Sequence, residues 1–144
     1  MRSAIETSFE RSFGLYHDLL VSFDEATLSC NLPGLPSNSV GLQLWCVVGA
    51  RESFAAAVRA NEWRGFSCSL QSTSEVEPVA TALQSSAGEI LDLFTSIGEF
   101  TGVQERLLVD LLEHEAAHHG QLIRYLYGLR LPIPPSWKEK YALD

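Results

Sequence analysis

The segment HEAAHHGQL, residues 114–122, holds the side chains best suited to chemistry. His114 and His118 are four residues apart, so on a helix they lie on one face, about one turn from each other. With His114 as zero, His118 falls at about 40° around the helix, and Leu111 and Tyr125 fall at about 60° and 20°. Both imidazoles should therefore face the core. Such a pair predicts either a divalent-metal site or two buried neutral histidines satisfied by hydrogen bonds.

The same residues match HExxH, the zinc-protease motif, in which Glu115 would be the general base. The extended form of that motif has a glycine at the position of Gln121, so the match stops at the short form. A protease of this type also aligns its peptide substrate on a strand, and no segment of the chain has the alternating pattern of a strand. Hydrolysis of this type stays an alternative, and Glu115 stays a weak candidate for a catalytic acid or base.

Two further histidines are expected outside the site. His119 falls at about 140° from His114, which predicts a position on the flank of the helix, where substitution by alanine should be nearly silent. His17 lies toward the edge of the apolar face of the first helix, and a role other than metal binding is expected there. It becomes the next ligand to consider if the others fail to meet.

Hydrophobic spacing of three to four residues predicts four helices, over about residues 3–23, 40–60, 76–97 and 103–127. Short loops join them, and the prolines after residue 130 end the last one. The fold class is therefore all-α, an antiparallel four-helix bundle that forms a single domain over residues 1–144.

Cys46 lies on a narrow face of the second predicted helix. Relative to it, Leu42, Ala50, Ser53 and Ala57 fall within about 40°. Most of these side chains are small, so a neighbouring helix can approach closely or a cavity can form. The serine- and threonine-rich segment that follows, residues 62–75, should be an exposed and mobile connector.

Composition excludes several classes of partner. The net charge is −8 and the 10 lysines and arginines are scattered, so no basic stripe for a nucleic acid exists. No apolar run approaches the roughly 20 residues of a membrane span, and the first residues carry charges where a signal peptide would be apolar. Three cysteines without CxxC spacing are typical of reduced thiols. These features predict a cytoplasmic protein.

Two segments resemble the DinB-like superfamily of metal-dependent enzymes (the DinB/YfiT type). HEAAHHGQLIRYLYGLRLPIPPSW, residues 114–137, is similar to that family's H-x3-H pattern, followed by Gly-Gln-Leu, a short helical stretch and a proline-containing tail. SVGLQLWCVVGARESF, residues 39–54, is similar to the family's second helix. The resemblance covers nearly the whole chain and implies a four-helix bundle that binds one divalent metal through three histidines.

Two of these ligands carry over to His114 and His118, and the third falls on Cys46 in place of the family's histidine. A thiolate is a competent zinc ligand, so a Cys-His-His site with an open position favours zinc over manganese or iron, with nickel also conceivable. The other interpretation is that the change abolished metal binding and left Cys46 as an inert buried thiol.

The resemblance also implies an activity. Some relatives use a low-molecular-weight thiol as cosubstrate, so the expected protein is a metal-dependent thiol transferase or a hydrolase that acts on a small molecule. The alternative is a non-catalytic bundle that has lost its metal and binds a small molecule or a protein. Relatives are often dimers, which implies a homodimer, and Leu44 and Trp45 on the second helix are the apolar side chains left over to build it.

Overall fold

The computed structural model describes all residues from Met1 to Asp144. It confirms the all-helical prediction, because every regular element is a helix and no strand is present. The four long helices begin and end within two residues of their predicted limits. In chain order, the six helices are α1 Arg2–Val21, α2 Glu25–Leu28, α3 Val40–Ala60, α4 Val76–Ser96, α5 Gly102–Gly128 and α6 Pro135–Tyr141.

Side-chain caps define the beginnings of the two helices that matter most for the site. The Ser39 hydroxyl accepts a hydrogen bond from the backbone N–H of Leu42, which starts α3. α5 begins with a capping box, in which Thr101 and Gln104 each satisfy the other's backbone N–H. At its other end α3 stops at Asn61, which adopts the left-handed conformation.

The long helices pack in a closed ring of neighbours, since α1 and α3 each contact both α4 and α5. Hydrogen bonds show how α3 and α5 are oriented. Gln104, near the start of α5, bonds the Val58 carbonyl near the end of α3, whereas His118 bonds Gln43 near the start of α3. Because residue numbers rise along one helix as they fall along the other, these two helices are antiparallel.

The connector between α3 and α4, residues 62–75, is mostly exposed, as expected, but it also packs against α3. Gly41 lies so close to this segment that an added Cβ would be 2.0 Å from the Thr73 carbonyl oxygen. The Ser53 hydroxyl bonds both the backbone N–H and the carbonyl of Ser67, at 2.9 and 3.1 Å. The connector therefore runs back along α3 in the reverse direction.

This return path makes α3 and α4 parallel neighbours, which departs from the antiparallel packing expected from the sequence. Arg51 bonds the Leu83 carbonyl, and Arg59, two turns later on α3, lies beside Glu89, further along α4. α1 runs opposite to α4, since Arg2 at its start bonds carbonyls at the far end of α4. α1 and α5 thus point one way, and α3 and α4 point the other.

The sequence missed α6, which follows the proline-rich turn. Pro135 occupies its first turn, where the backbone N–H that a proline lacks would have no partner within the helix. Trp137 is fully buried, and its indole N–H donates to the Leu15 carbonyl at 2.7 Å, which fixes α6 against α1. In the structure no helix has the length and apolar character to cross a membrane.

The apolar side chains suggested for self-association have different environments. Leu44 is only 1% exposed and belongs to the core, so it is not a leftover surface residue. Trp45 is half-buried and packs against Phe66 of the connector, with ring centroids 5.3 Å apart. Leu42, expected on the small face with Cys46, is 43% exposed instead.

Candidate metal centre

The structure brings the three expected ligands together between α3 and α5. One ligand atom from each of Cys46, His114 and His118 lies within 4.8 Å of the other two. The Cys46 sulfur is 3.6 Å from Nε2 of His114, and the two imidazole centroids are 4.6 Å apart. In a tetrahedral zinc site, bonds of about 2.3 Å to sulfur and 2.0 Å to nitrogen put these two ligand atoms about 3.5 Å apart. The spacing therefore suits a small tetrahedral cation.

His118 is held in place by a side chain of α3. Its Nδ1 is 2.7 Å from Oε1 of Gln43, and both residues are buried. Burial, together with the charge of His114, lowers the pKa of His118 to about 4. The ring is therefore neutral at physiological pH, as a metal-binding imidazole must be.

His114 has a polar atom that the protein does not satisfy. Its Nδ1 is buried and has no hydrogen-bond partner, the only such side-chain atom in the structure. Burial lowers the pKa of His114, so this ring is also neutral near pH 7. An unpaired buried polar atom costs free energy. A cation held by Nε2, the nitrogen that faces the Cys46 sulfur, would leave Nδ1 without a partner as well, so this atom remains a cost to folding.

Cys46 is half-buried, and its burial raises the pKa of the thiol. In the protein alone this cysteine is therefore protonated. A bound divalent cation favours the thiolate, so metal binding would release the proton. The two neutral imidazoles and one ionisable thiol fit zinc, and the three side chains leave a fourth coordination position free.

Glu115, the candidate acid or base, is not part of this group. It is fully buried, and both its oxygens accept hydrogen bonds from Arg51, at 2.6 and 3.0 Å. The Ser12 hydroxyl donates to Oε2 at 2.5 Å. Burial by itself would raise the pKa of Glu115, but the charge and hydrogen bonds of Arg51 and the bond from Ser12 lower it. The carboxylate is thus ionised and fully engaged within the core.

His119 lies in the core, and the prediction of a flanking position is wrong. Only 4% of it is exposed, its Nε2 is 2.9 Å from the Ser12 hydroxyl, and its Nδ1 is 2.6 Å from the Tyr141 hydroxyl. Because Ser12 donates its proton to the ionised Glu115, Nε2 of His119 must donate to Ser12. Tyr141 must then donate to Nδ1.

The reason for the error is that α5 has two buried sides. One side carries His114 and His118 toward α3, and the other carries His119 toward α1 and α6. A single apolar stripe, centred on His114, describes only the first side. His17, by contrast, is exposed on α1 and lies outside the metal-ligand group.

Sequence reasoning missed Gln43, Arg51 and Ser12, which support the site and the helix that carries it. Gln43 lies one turn before Cys46 on α3, so a polar residue beside a candidate ligand on a buried face was an available signal. Arg51 also lies on that helix and is 1% exposed, but nothing in its local sequence distinguishes it from a surface arginine.

Comparison of the chain with family models, with curated proteins and with solved structures finds no match.

Proposed function

We propose that this protein is a zinc-dependent enzyme of the DinB-like type, with Cys46, His114 and His118 as the metal ligands. The observation that carries the proposal is the convergence of these three side chains, whose ligand atoms lie within 4.8 Å of one another. Two of them come from one helix and the third from a helix 68 positions earlier in the chain, so only the folded protein assembles them.

One feature supports the proposal beyond that convergence. The ring of long helices, with the ligands on two facing members, agrees with the four-helix bundle that the resemblance implies. Metal sites built from facing helices are a common use of bundles.

A bound zinc with an open position would lower the pKa of a thiol or a water and supply it as a nucleophile. The protein's own part is to hold and orient. Cys46 and the two histidines form the cradle, while the Arg51–Glu115 pair ties α3 to α5 next to it. We propose a low-molecular-weight thiol as cosubstrate and a small electrophilic molecule as substrate, with hydrolysis as the other reaction class.

One contact favours a second candidate, a bundle of the same fold that binds no metal. The 3.6 Å between the Cys46 sulfur and Nε2 of His114 is also a normal distance for a hydrogen bond from the thiol. In that case Cys46 and His114 satisfy each other, and the protein binds a small molecule or a partner without catalysis.

Cobalt substitution separates the two candidates. Cobalt bound by a thiolate absorbs in the near ultraviolet, so wild-type protein titrated with Co²⁺ should develop this band with one equivalent of metal. Cys46→Ala should abolish the band, and His118→Ala should weaken binding. Cys30→Ala and Cys68→Ala are matched controls, since each removes one of the other free cysteines, and both should retain it.

A wild-type protein that develops no band, and that holds no zinc after purification without chelators, would favour the candidate that lacks metal. A band that survives Cys46→Ala but disappears in Cys68→Ala would show that Cys68, and not Cys46, is the metal ligand. Either result overturns the site as proposed.

A further inference from the structure

We infer that Gln43 is a positioning residue for the metal centre, which selects the His118 tautomer that presents Nε2 to the cation. The inference rests on the proposed function, because a positioning role requires a metal to position for. It adds a residue that is not itself a ligand and acts through its contact with His118.

The chemistry of an amide oxygen decides the tautomer. Oε1 of Gln43 can only accept, so Nδ1 of His118, 2.7 Å away, must carry the proton. A metal-binding imidazole is neutral and has a single N–H. Nε2 therefore keeps a free lone pair. Metal-binding histidines commonly donate their other N–H to an oxygen in this way, which fixes both tautomer and ring orientation.

The first turns of α3 put the acceptor and a ligand on the same side. Gln43 precedes Cys46 by three residues, so the two side chains are neighbours on one helix face. Facing them on α5, His118 meets Gln43, and His114 meets Cys46. The Ser39 cap starts the helix at Val40, so Gln43 lies in its first turns, where the cap fixes the course of the backbone.

His114 lacks such support, and the contrast makes the role of Gln43 specific. Its Nδ1 has no partner, and its Nε2 contacts only the Cys46 sulfur, itself a candidate ligand, so no oxygen holds that ring by its N–H. His118 is therefore the ligand that is oriented in advance, and His114 is the ligand free to adjust when the cation binds. Loss of the Gln43 acceptor should remove the only oriented imidazole.

The experiment compares Gln43→Met, which keeps the side-chain length but removes the acceptor, with Gln43→Glu, which keeps an acceptor. Gln84→Met, at an exposed position of α4, is the matched control. Long-range ¹H–¹⁵N correlation spectra of metal-free protein report the His118 tautomer. Competition with a chromogenic chelator reports zinc affinity, and thermal unfolding in chelator checks that each variant folds.

We expect the Nδ1–H tautomer of His118 in wild type, Gln43→Glu and Gln84→Met. Gln43→Met should lose this bias and bind zinc at least about tenfold more weakly, the usual effect of removing an outer-shell partner. The Nε2–H tautomer in metal-free wild type, or wild-type zinc affinity in Gln43→Met, would overturn the inference.

The measurements distinguish failure of the proposed function from failure of the role of Gln43. If His118 has the expected tautomer but wild type binds no zinc, the proposed function fails and the Gln43 contact is structural, so the positioning role fails with it. If zinc binds and the tautomer is wrong, only the role of Gln43 is lost.

Discussion

Arg51 and Glu115 form a two-point ion pair in the centre of the protein, with N–O distances of 2.6 and 3.0 Å. Both side chains are almost completely buried, and the guanidinium lies over the rings of Phe13 and Tyr16. Glu115 immediately follows the candidate ligand His114, so the pair fixes the register of α5 against α3 at the candidate metal centre. Each charge is tolerable in the core only because the other is present.

Removal of one partner of this pair should be costly. Glu115→Gln and Arg51→Met should each lower the free energy of unfolding by about 3–5 kcal/mol, since each leaves a buried charge without its partner. Urea unfolding in chelator measures this. The double variant should lose much less than the sum of the two single variants. Loss of the exposed pair Arg106–Asp110 should cost at most about 0.5 kcal/mol. Additive effects of the two core variants would contradict the pairing.

Stability should fall as the solution is acidified. Burial lowers the pKa values of His118 and His119 to about 4, against 6.5 in an unfolded chain. Between these values the unfolded chain binds more protons, so the free energy of unfolding decreases as pH falls from about 6.5 toward 4. The lowered pKa of Glu115 extends the loss at still lower pH, below the carboxyl's unfolded value.

Urea midpoints measured in chelator from pH 7.5 to 4.5 test this dependence. His118→Gln should flatten the curve by up to about 1.4 kcal/mol per pH unit, the contribution of one proton. His17→Gln, which changes an exposed histidine, should leave the curve as in wild type. Stability independent of pH over this range would contradict the buried neutral state of the two core histidines.

His119→Ala should destabilise the protein in zinc and in chelator alike. The change removes the partner of both Ser12 and Tyr141 and empties a buried site, at a cost of about 1–3 kcal/mol. On the proposed function His118→Ala should differ, since it would also abolish the stabilisation that bound zinc adds to the folded state. Melting temperatures of both variants with and without zinc distinguish them. A zinc-dependent effect of His119→Ala would make His119 part of the metal centre.

Close packing of the connector should make one glycine of α3 irreplaceable. Gly41→Ala should destabilise strongly, because its Cβ would overlap the backbone carbonyl of Thr73. Gly14→Ala is the matched control in α1, where nothing lies within 4 Å of an added Cβ. That change should stabilise by roughly 0.5–1 kcal/mol, as expected for alanine in a helix. Equal responses to the two changes, measured by thermal unfolding, would show that the connector is not packed as described.

The homodimer implied by the family resemblance also remains to be tested. Two aromatic side chains of the connector, Trp63 and Phe66, are 50% and 47% exposed and offer apolar surface for it. We expect light scattering to give about twice the 15.9 kDa of one chain. A double change of Trp63 and Phe66 to serine should shift the protein toward monomer, whereas Val103→Ser, at an exposed apolar position of α5, should not. A wild-type monomer at high concentration would refute the dimer.

The sequence was a good guide wherever the relevant contacts are periodic. The spacing of apolar residues predicts the four long helices, and it also turns His114 and His118 inward. A periodic pattern, however, shows only which side of a helix is buried. It does not show which other elements cover that side. The second buried side of α5, which holds His119, depends on α1 and α6, and so lies beyond a helical wheel.

The missed features depend on pairings between residues far apart in the chain. No residue near Arg51 in the sequence indicates that its partner is Glu115, 64 positions later. An arginine on a helix is usually exposed. The return of the connector along α3 likewise depends on the absence of a side chain at Gly41, which lets the backbone of the connector approach the helix. Such matches are three-dimensional, so a pattern read along one dimension does not contain them.

The buried pair has a consequence for how the chain acquires its structure. During translation Arg51 emerges from the ribosome long before Glu115. Until Glu115 has emerged, α3 cannot bury the face that carries the Arg51 cation. The earlier helix α4 offers Arg51 only the Leu83 carbonyl, and the carboxylate that neutralises the charge is on the last long helix. We therefore expect neither half of the chain to fold by itself, and the nascent protein to stay open until α5 has emerged.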